Sequence, residues 1–154
     1  MIQADAKNNL NIVRLSALIF LLLGAYFSIV LFQSLQFDNN PLVWLTAQYY
    51  SQFIPFYTAI TLFLAGFFMA FKSSQTNFYL AVFGHTASEE ILFSWAGITS
   101  TQLPLVAIII FFPLSLIAIW LGYFNVLKLK KLSVIEAIFG IVISTIFILV
   151  PRYL

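Results

Sequence analysis

Long apolar runs separated by short polar breaks organise this chain. The first covers residues 10–35 and is interrupted only by Arg14 near its start and a few uncharged polar residues. About 20 apolar residues cross the hydrocarbon of a bilayer, so this run is long enough with some tilt. Arg14 lies about one turn inside, where its stem can reach back to the interface. The run is too long for the apolar part of a removable signal peptide, and no small-x-small site follows it. Residues 36–40 are polar. Asn40-Pro41 reads as a helix N-cap with proline at the first helical position. Residues 41–50, with Trp44, Tyr49 and Tyr50, read as a short interfacial helix. A second run spans residues 52–71, with Pro55 in its first turn, where a missing N–H costs little, and stops at Lys72. Residues 78–98 follow a polar linker. The run at 104–127 opens on Pro104 and contains Pro113, which removes one helical hydrogen bond and predicts a kink. After the basic turn at 128–131, a last run covers residues 133–150, closed by Pro151 and Arg152.

The expected fold is all-α: one polytopic transmembrane helical bundle over residues 1–154, with spans at 10–35, 52–71, 78–98, 104–127 and 133–150. The alternative is four spans plus an interfacial helix, because residues 78–98 contain His85, Glu89 and Glu90. Charge bias separates the two. With the N-terminus inside and 78–98 not crossing, Lys7, Arg14, Lys72 and Arg152 are inside and Lys128, Lys130 and Lys131 outside. If 78–98 crosses, all but Arg152 fall inside, as the positive-inside rule expects. Energetics oppose crossing. Two mid-span carboxylates cost roughly 5–7 kcal/mol on the insertion scale, and the Leu, Ile, Phe and Val of the segment return about 2.5–5 kcal/mol. Crossing then needs neighbouring helices that accept its polar face, or protonation of one glutamate. The five-span reading, with a cytoplasmic N-terminus, uses every cation and is the expectation taken forward.

Composition narrows the class further. Of 154 residues, 62% are hydrophobic and 8% charged, and the mean hydropathy is +1.03; a soluble domain carries about a quarter charged residues. A net charge of +2 without a basic run argues against nucleic acid as a partner. With no cysteine, disulfides, thiolate metal sites and cysteine nucleophiles are excluded. The short loops fit a bacterial inner membrane.

The chemistry concentrates in residues 78–98. His85 and Glu89 are four apart, as are Thr86, Glu90 and Ser94, so each set lies along one side of a helix. The two rows are about 100° apart and form one polar stripe. Ionisable groups in a membrane usually face an interior pathway, and adjacent carboxylates in low dielectric cannot both stay charged cheaply. His85, Glu89 and Glu90 are therefore candidate proton- or ion-binding residues, with Arg14 a possible charge partner across the bundle. A purely structural alternative reads Thr86-Ala-Ser-Glu89 as a capping box that starts a short interfacial helix after a break at Gly84, with Glu90 complementing the helix dipole. Helix–helix adhesion is a third. Ser133-Val-Ile-Glu136 is a second capping box after the basic turn.

No catalytic set emerges. His85 is the single histidine, so a metal site would need ligands from Glu90, Asp38 or Glu136, the last two near opposite surfaces. No phosphate loop, dinucleotide fingerprint or GxSxG elbow is present, and no cofactor is expected. The run Glu89-Glu90-Ile91-Leu92-Phe93 resembles the first motif of the CAAX-protease and bacteriocin-processing family of intramembrane enzymes. That motif places an arginine four residues after the glutamate pair, where this chain has Ser94, and the family's later histidines have no counterpart after His85. The expected role is a subunit or accessory factor of a larger membrane assembly, partnered by lipid and by other membrane subunits or copies of itself. The small-residue pairs Gly66/Ala70 and Gly140/Ser144 are candidate close-approach faces. The alternative is a proton- or cation-coupled carrier working as an oligomer through Glu89 and Glu90.

Overall fold

The computed structural model describes residues 2–153, and all regular structure among them is helical. The elements are α1 (Ile2–Gln33), a single 3-10 turn (Val43–Leu45), α2 (Ala47–Ser51), α3 (Phe53–Ala70), α4 (Thr76–Trp95), α5 (Leu105–Tyr123) and α6 (Val134–Tyr153). Four segments, Asn11–Gln33, Ala47–Ala70, Leu105–Tyr123 and Val134–Tyr153, are long and apolar enough to cross a membrane. The protein is a transmembrane helical bundle. α4, too polar to qualify on the same criteria, runs between the same two ends in the middle of the others.

Local sequence fixes where the helices stop. The last turn of α3 closes with Lys72 in the left-handed region (φ 51°), its N–H bonded to Met69 O and that of Ser73 to Phe68 O. The end of α4 repeats the arrangement with Gly97 (φ 72°): Gly97 N donates to Ser94 O and Ile98 N to Phe93 O. Both are Schellman closures that satisfy the orphan carbonyls of the final turn. The start of α6 is the capping box its sequence predicts: Glu136 N donates to Ser133 Oγ at 3.2 Å and Ser133 N to Glu136 Oε2 at 2.9 Å, while Lys130 Nζ meets Glu136 Oε1 at 2.8 Å. Between α1 and α2 the chain turns on Asn40, whose side chain accepts from Leu42 N. Thr46 then caps α2 by accepting from Tyr49 N. The predicted single helix over 41–50 is thus two short pieces.

Glycines set the closest helix approaches. A Cβ on Gly24 would lie 2.4 Å from Phe63 Cα, and one on Gly66 2.4 Å from Leu21 N, so α1 and α3 pack antiparallel almost backbone to backbone. Gly84 does the same for α4 against α5, where a Cβ would meet Ile119 Cγ1 at 2.5 Å. α4 touches α3, α5 and α6. α6 runs parallel to it, with Val82 beside Gly140 and Thr86 beside Ser144. α5 and α6 flank α4 and scarcely touch each other. The core is an aromatic and aliphatic seam: Phe20 and Phe111 both meet Phe83 edge-on, and Phe27 meets Phe111.

Three expectations need correction, and a fourth is met inside the chain. Gly84 does not break the chain: α4 is continuous from Thr76 to Trp95, because a glycine is what lets α5 come this close. Thr86 caps nothing; its hydroxyl donates to Val82 O one turn back and lies 3.1 Å from Ser144 Oγ. Pro151 and Arg152 do not close the last helix, which continues to Tyr153 and forgoes only the bond that Pro151 cannot donate. The small-residue faces are consumed within the chain. Gly66 receives α1, Ala70 is exposed, and Gly140 and Ser144 are buried against α4.

Candidate functional site

α4 is the most polar of the long helices and also the one enclosed by the others. Thr76, Asn77, Thr86, Ser88 and Glu90 are all buried. At one end of the bundle, Asn77 Nδ2 donates to Asn125 Oδ1 and to Lys130 O, both at 2.8 Å, tying the start of α4 to the basic turn. This is the lysine end, with Lys72, Lys128, Lys130 and Lys131. Loops 34–46 and 96–104 meet at the other end, which carries Asp38.

The two rows of the polar stripe enter different surroundings. Glu90 faces α6 and is 0% exposed. Its Oε1 accepts from Arg152 Nη2 at 2.9 Å, and the same nitrogen donates to Ser100 O at 2.9 Å. The Arg152 side chain is 9% exposed. Glu90 Oε2 and Arg152 Nη1 are buried without a hydrogen-bond partner. Arg14 is not the partner of either glutamate: it is exposed on α1, towards the lysine end, whereas the carboxylates lie past the middle of α4 towards the other.

Glu89 faces away from this pair. Its Oε2 accepts from Thr145 Oγ1 of α6 at 2.9 Å, and its Oε1 lies 3.3 Å from His85 Nδ1. His85 Nε2 is 2.8 Å from the Tyr123 hydroxyl of α5. Tyr123, His85, Glu89 and Thr145 thus form one row of polar contacts from α5 across α4 to α6, hydrogen-bonded at its two ends and joined in the middle by the 3.3 Å His85–Glu89 approach. The His85 and Glu89 side chains are 19% and 14% exposed. They sit on a partly open line of α4, Phe78, His85, Glu89 and Leu92, in the gap between α5 and α6. At 1.5 Å per residue, His85 is about 13 Å and Glu89 about 19 Å along a helix of about 30 Å.

No protein-family model matches the chain, and neither a curated protein nor a solved structure matches it. Its chemistry is read from its own residues. Among those described, no three of His, Asp and Glu converge, so His85–Glu89 is a two-group site. A neutral imidazole between a phenol and a carboxylate can pass a proton in either direction, since one ring nitrogen donates while the other accepts.

Arg152 is the site residue that the sequence reading placed outside. Gly140, Ser144 and Ile148 are the buried positions of α6, each four after the last, and Arg152 is the next in that row. Pro151 hid the continuation. Thr145 was signalled only by its place beside Ser144, and Tyr123 by nothing local.

Proposed function

We propose that this chain is a small multi-pass protein of a bacterial inner membrane, with five spans and its lysine end cytoplasmic, acting as a subunit or accessory factor of a larger membrane assembly. One observation carries this reading: His85 and Glu89, at mid-depth in α4, lie partly open in the gap between α5 and α6. In a membrane that gap faces hydrocarbon, where an ionisable group is expensive unless protein covers it. A neighbouring helix that fills the gap removes that cost. The other small-residue faces are already occupied inside the chain, which leaves this gap as the docking face. The orientation rests on Lys7, Arg14, Lys72, Lys128, Lys130 and Lys131 sharing one end. The test is purification in a mild detergent from the native host. Partner subunits or further copies co-purify with the unaltered chain, and His85→Leu with Glu89→Leu frees them. A chain that runs as a monomer in mild detergent, with the same size after both substitutions, rules the reading out.

A second reading is favoured by the row Tyr123–His85–Glu89–Thr145: a proton-coupled carrier or channel-like oligomer in which Glu89 takes up the proton and His85 relays it. It requires that Glu89→Gln abolish proton flux in reconstituted vesicles while leaving assembly intact. Flux that survives this change excludes it.

A further inference from the structure

Beyond the gap between α5 and α6, a second feature lies at the Asp38 end. A cleft of about 460 Å³ opens there between α2, the loop after α4 and the end of α6. It is lined by polar groups, among them Gln48, Ser51, Thr99, Gln102 and Arg152. Gln102 and Gln48 also line an adjoining cleft of about 410 Å³ that contains Asp38. Beneath it lies the Glu90–Arg152 pair, made through one nitrogen and one oxygen. Among the described residues, five buried side-chain polar atoms lack a partner. Three of them, Arg152 Nη1, Glu90 Oε2 and Thr99 Oγ1, belong to this corner. Buried charged groups left half satisfied are costly, and their clustering under a polar cleft marks what that cleft holds. Arg152 and Glu90 cancel, so neither an anion nor a cation is favoured. Nη1 needs an acceptor and Oε2 a donor, so a small neutral molecule that both donates and accepts can satisfy either. Water does this, and the cleft far exceeds the roughly 30 Å³ one water occupies in the liquid.

We propose that this cleft is a water-filled vestibule that connects the buried Glu90–Arg152 pair to the aqueous phase at the Asp38 end and to no other. The other ionisable groups nearby are Asp38 in the adjoining cleft, Tyr153 on the rim, and Glu89 with His85 on the far side of α4. The vestibule stands whether the chain serves as a subunit or as a carrier.

The chain has no cysteine, so single cysteines report access cleanly. Asn40→Cys marks the Asp38 side, and Ser115→Cys, buried in α5, marks the interior. A membrane-impermeant anionic thiosulfonate is applied to the Asn40 side of sealed vesicles. Thr99→Cys and Glu90→Cys should react at least an order of magnitude faster than Ser115→Cys, and only from that side. At Glu90→Cys the anionic reagent should outpace a cationic one, because the product restores a negative charge beside Arg152. Labelling at Thr99→Cys without labelling at Glu90→Cys would mean that the cleft ends above the pair, and it overturns the proposal. So does labelling of neither. If Glu90→Cys does not accumulate, hydroxyl-radical footprinting of the unaltered chain decides: oxidation of Arg152 well above that of Met69 in the core supports the vestibule, and equal protection overturns it.

Discussion

Replacing Arg152 with methionine keeps much of the side chain's length and removes the guanidinium that meets Glu90. The Glu90 carboxylate is 0% exposed and Arg152 9% exposed, so bulk solvent screens the pair little, and the proposed waters of the cleft meet only its unpaired atoms. Removing one partner of such a pair leaves an uncompensated buried charge and costs about 3–5 kcal/mol. Arg152→Met also deprives Ser100 O of its donor, which places it towards the upper part of that range. Glu90→Leu strands the guanidinium instead and falls in the same range. The double change Glu90→Leu with Arg152→Met removes both charges, and replacing a buried pair with apolar residues is often neutral or better. The double variant is therefore expected within about 2 kcal/mol of the parent, far from the sum of the singles. Reversible unfolding in mixed micelles, followed by the fluorescence of the three tryptophans, measures all four proteins. Single losses below about 1 kcal/mol, the range of exposed ion pairs, would refute the burial argument. A double loss equal to the sum of the singles would refute the pairing.

Other expectations are read from the same unfolding assay. Gly24→Ala drives a methyl into the Phe63 backbone, which cannot yield without parting α1 from α3, and costs about 1–3 kcal/mol or more. Gly97→Ala meets no atom within 4 Å, so its cost, about 1–2 kcal/mol, is that of a left-handed residue with a side chain. Lys72→Gly relieves the same strain at the end of α3 and raises stability by about 1 kcal/mol. Ser133→Ala removes the acceptor of the capping box and lowers stability by about 0.5–2 kcal/mol.

Four of the five long helices were legible in the sequence because apolar runs of span length have few other uses, and the breaks between them carry polar residues, prolines and lysines; α4, more polar, was legible only through the distribution of the cations. The boundaries of α4 and α5 fell within a few residues because of those breaks. The chemistry was legible only in part. Spacing by four identified His85 with Glu89 and Thr86 with Glu90 as rows, and each row does share a face. What spacing on one helix cannot give is what stands opposite. Arg152 was lost behind Pro151, whose place near the helix end makes its missing N–H cheap and lets α6 run on. Gly84 and Thr86 together imitate a helix start, and only the approach of α5 and the hydroxyl of Ser144 distinguish a packing glycine and a back-bonded threonine from a break and a cap. Gly66 marks a close-approach face in the sequence, but nothing local says that its neighbour is Leu21 of the first run, with Gly24 one turn on receiving Phe63. The pairing became visible once α1 and α3 were set side by side.

The proposed function requires that α4 cross the bilayer, with Glu89 and Glu90 inside it. Single cysteines at Ser74 and Ser100, both exposed and placed before and after α4, test it in the full-length, cysteine-free chain. An impermeant thiol reagent applied to one face of sealed vesicles should label one of the two and not the other, with Ser100→Cys on the same side as Asn40→Cys. Labelling of Ser74→Cys and Ser100→Cys from the same face would mean that α4 does not cross, and the buried site would have to be abandoned.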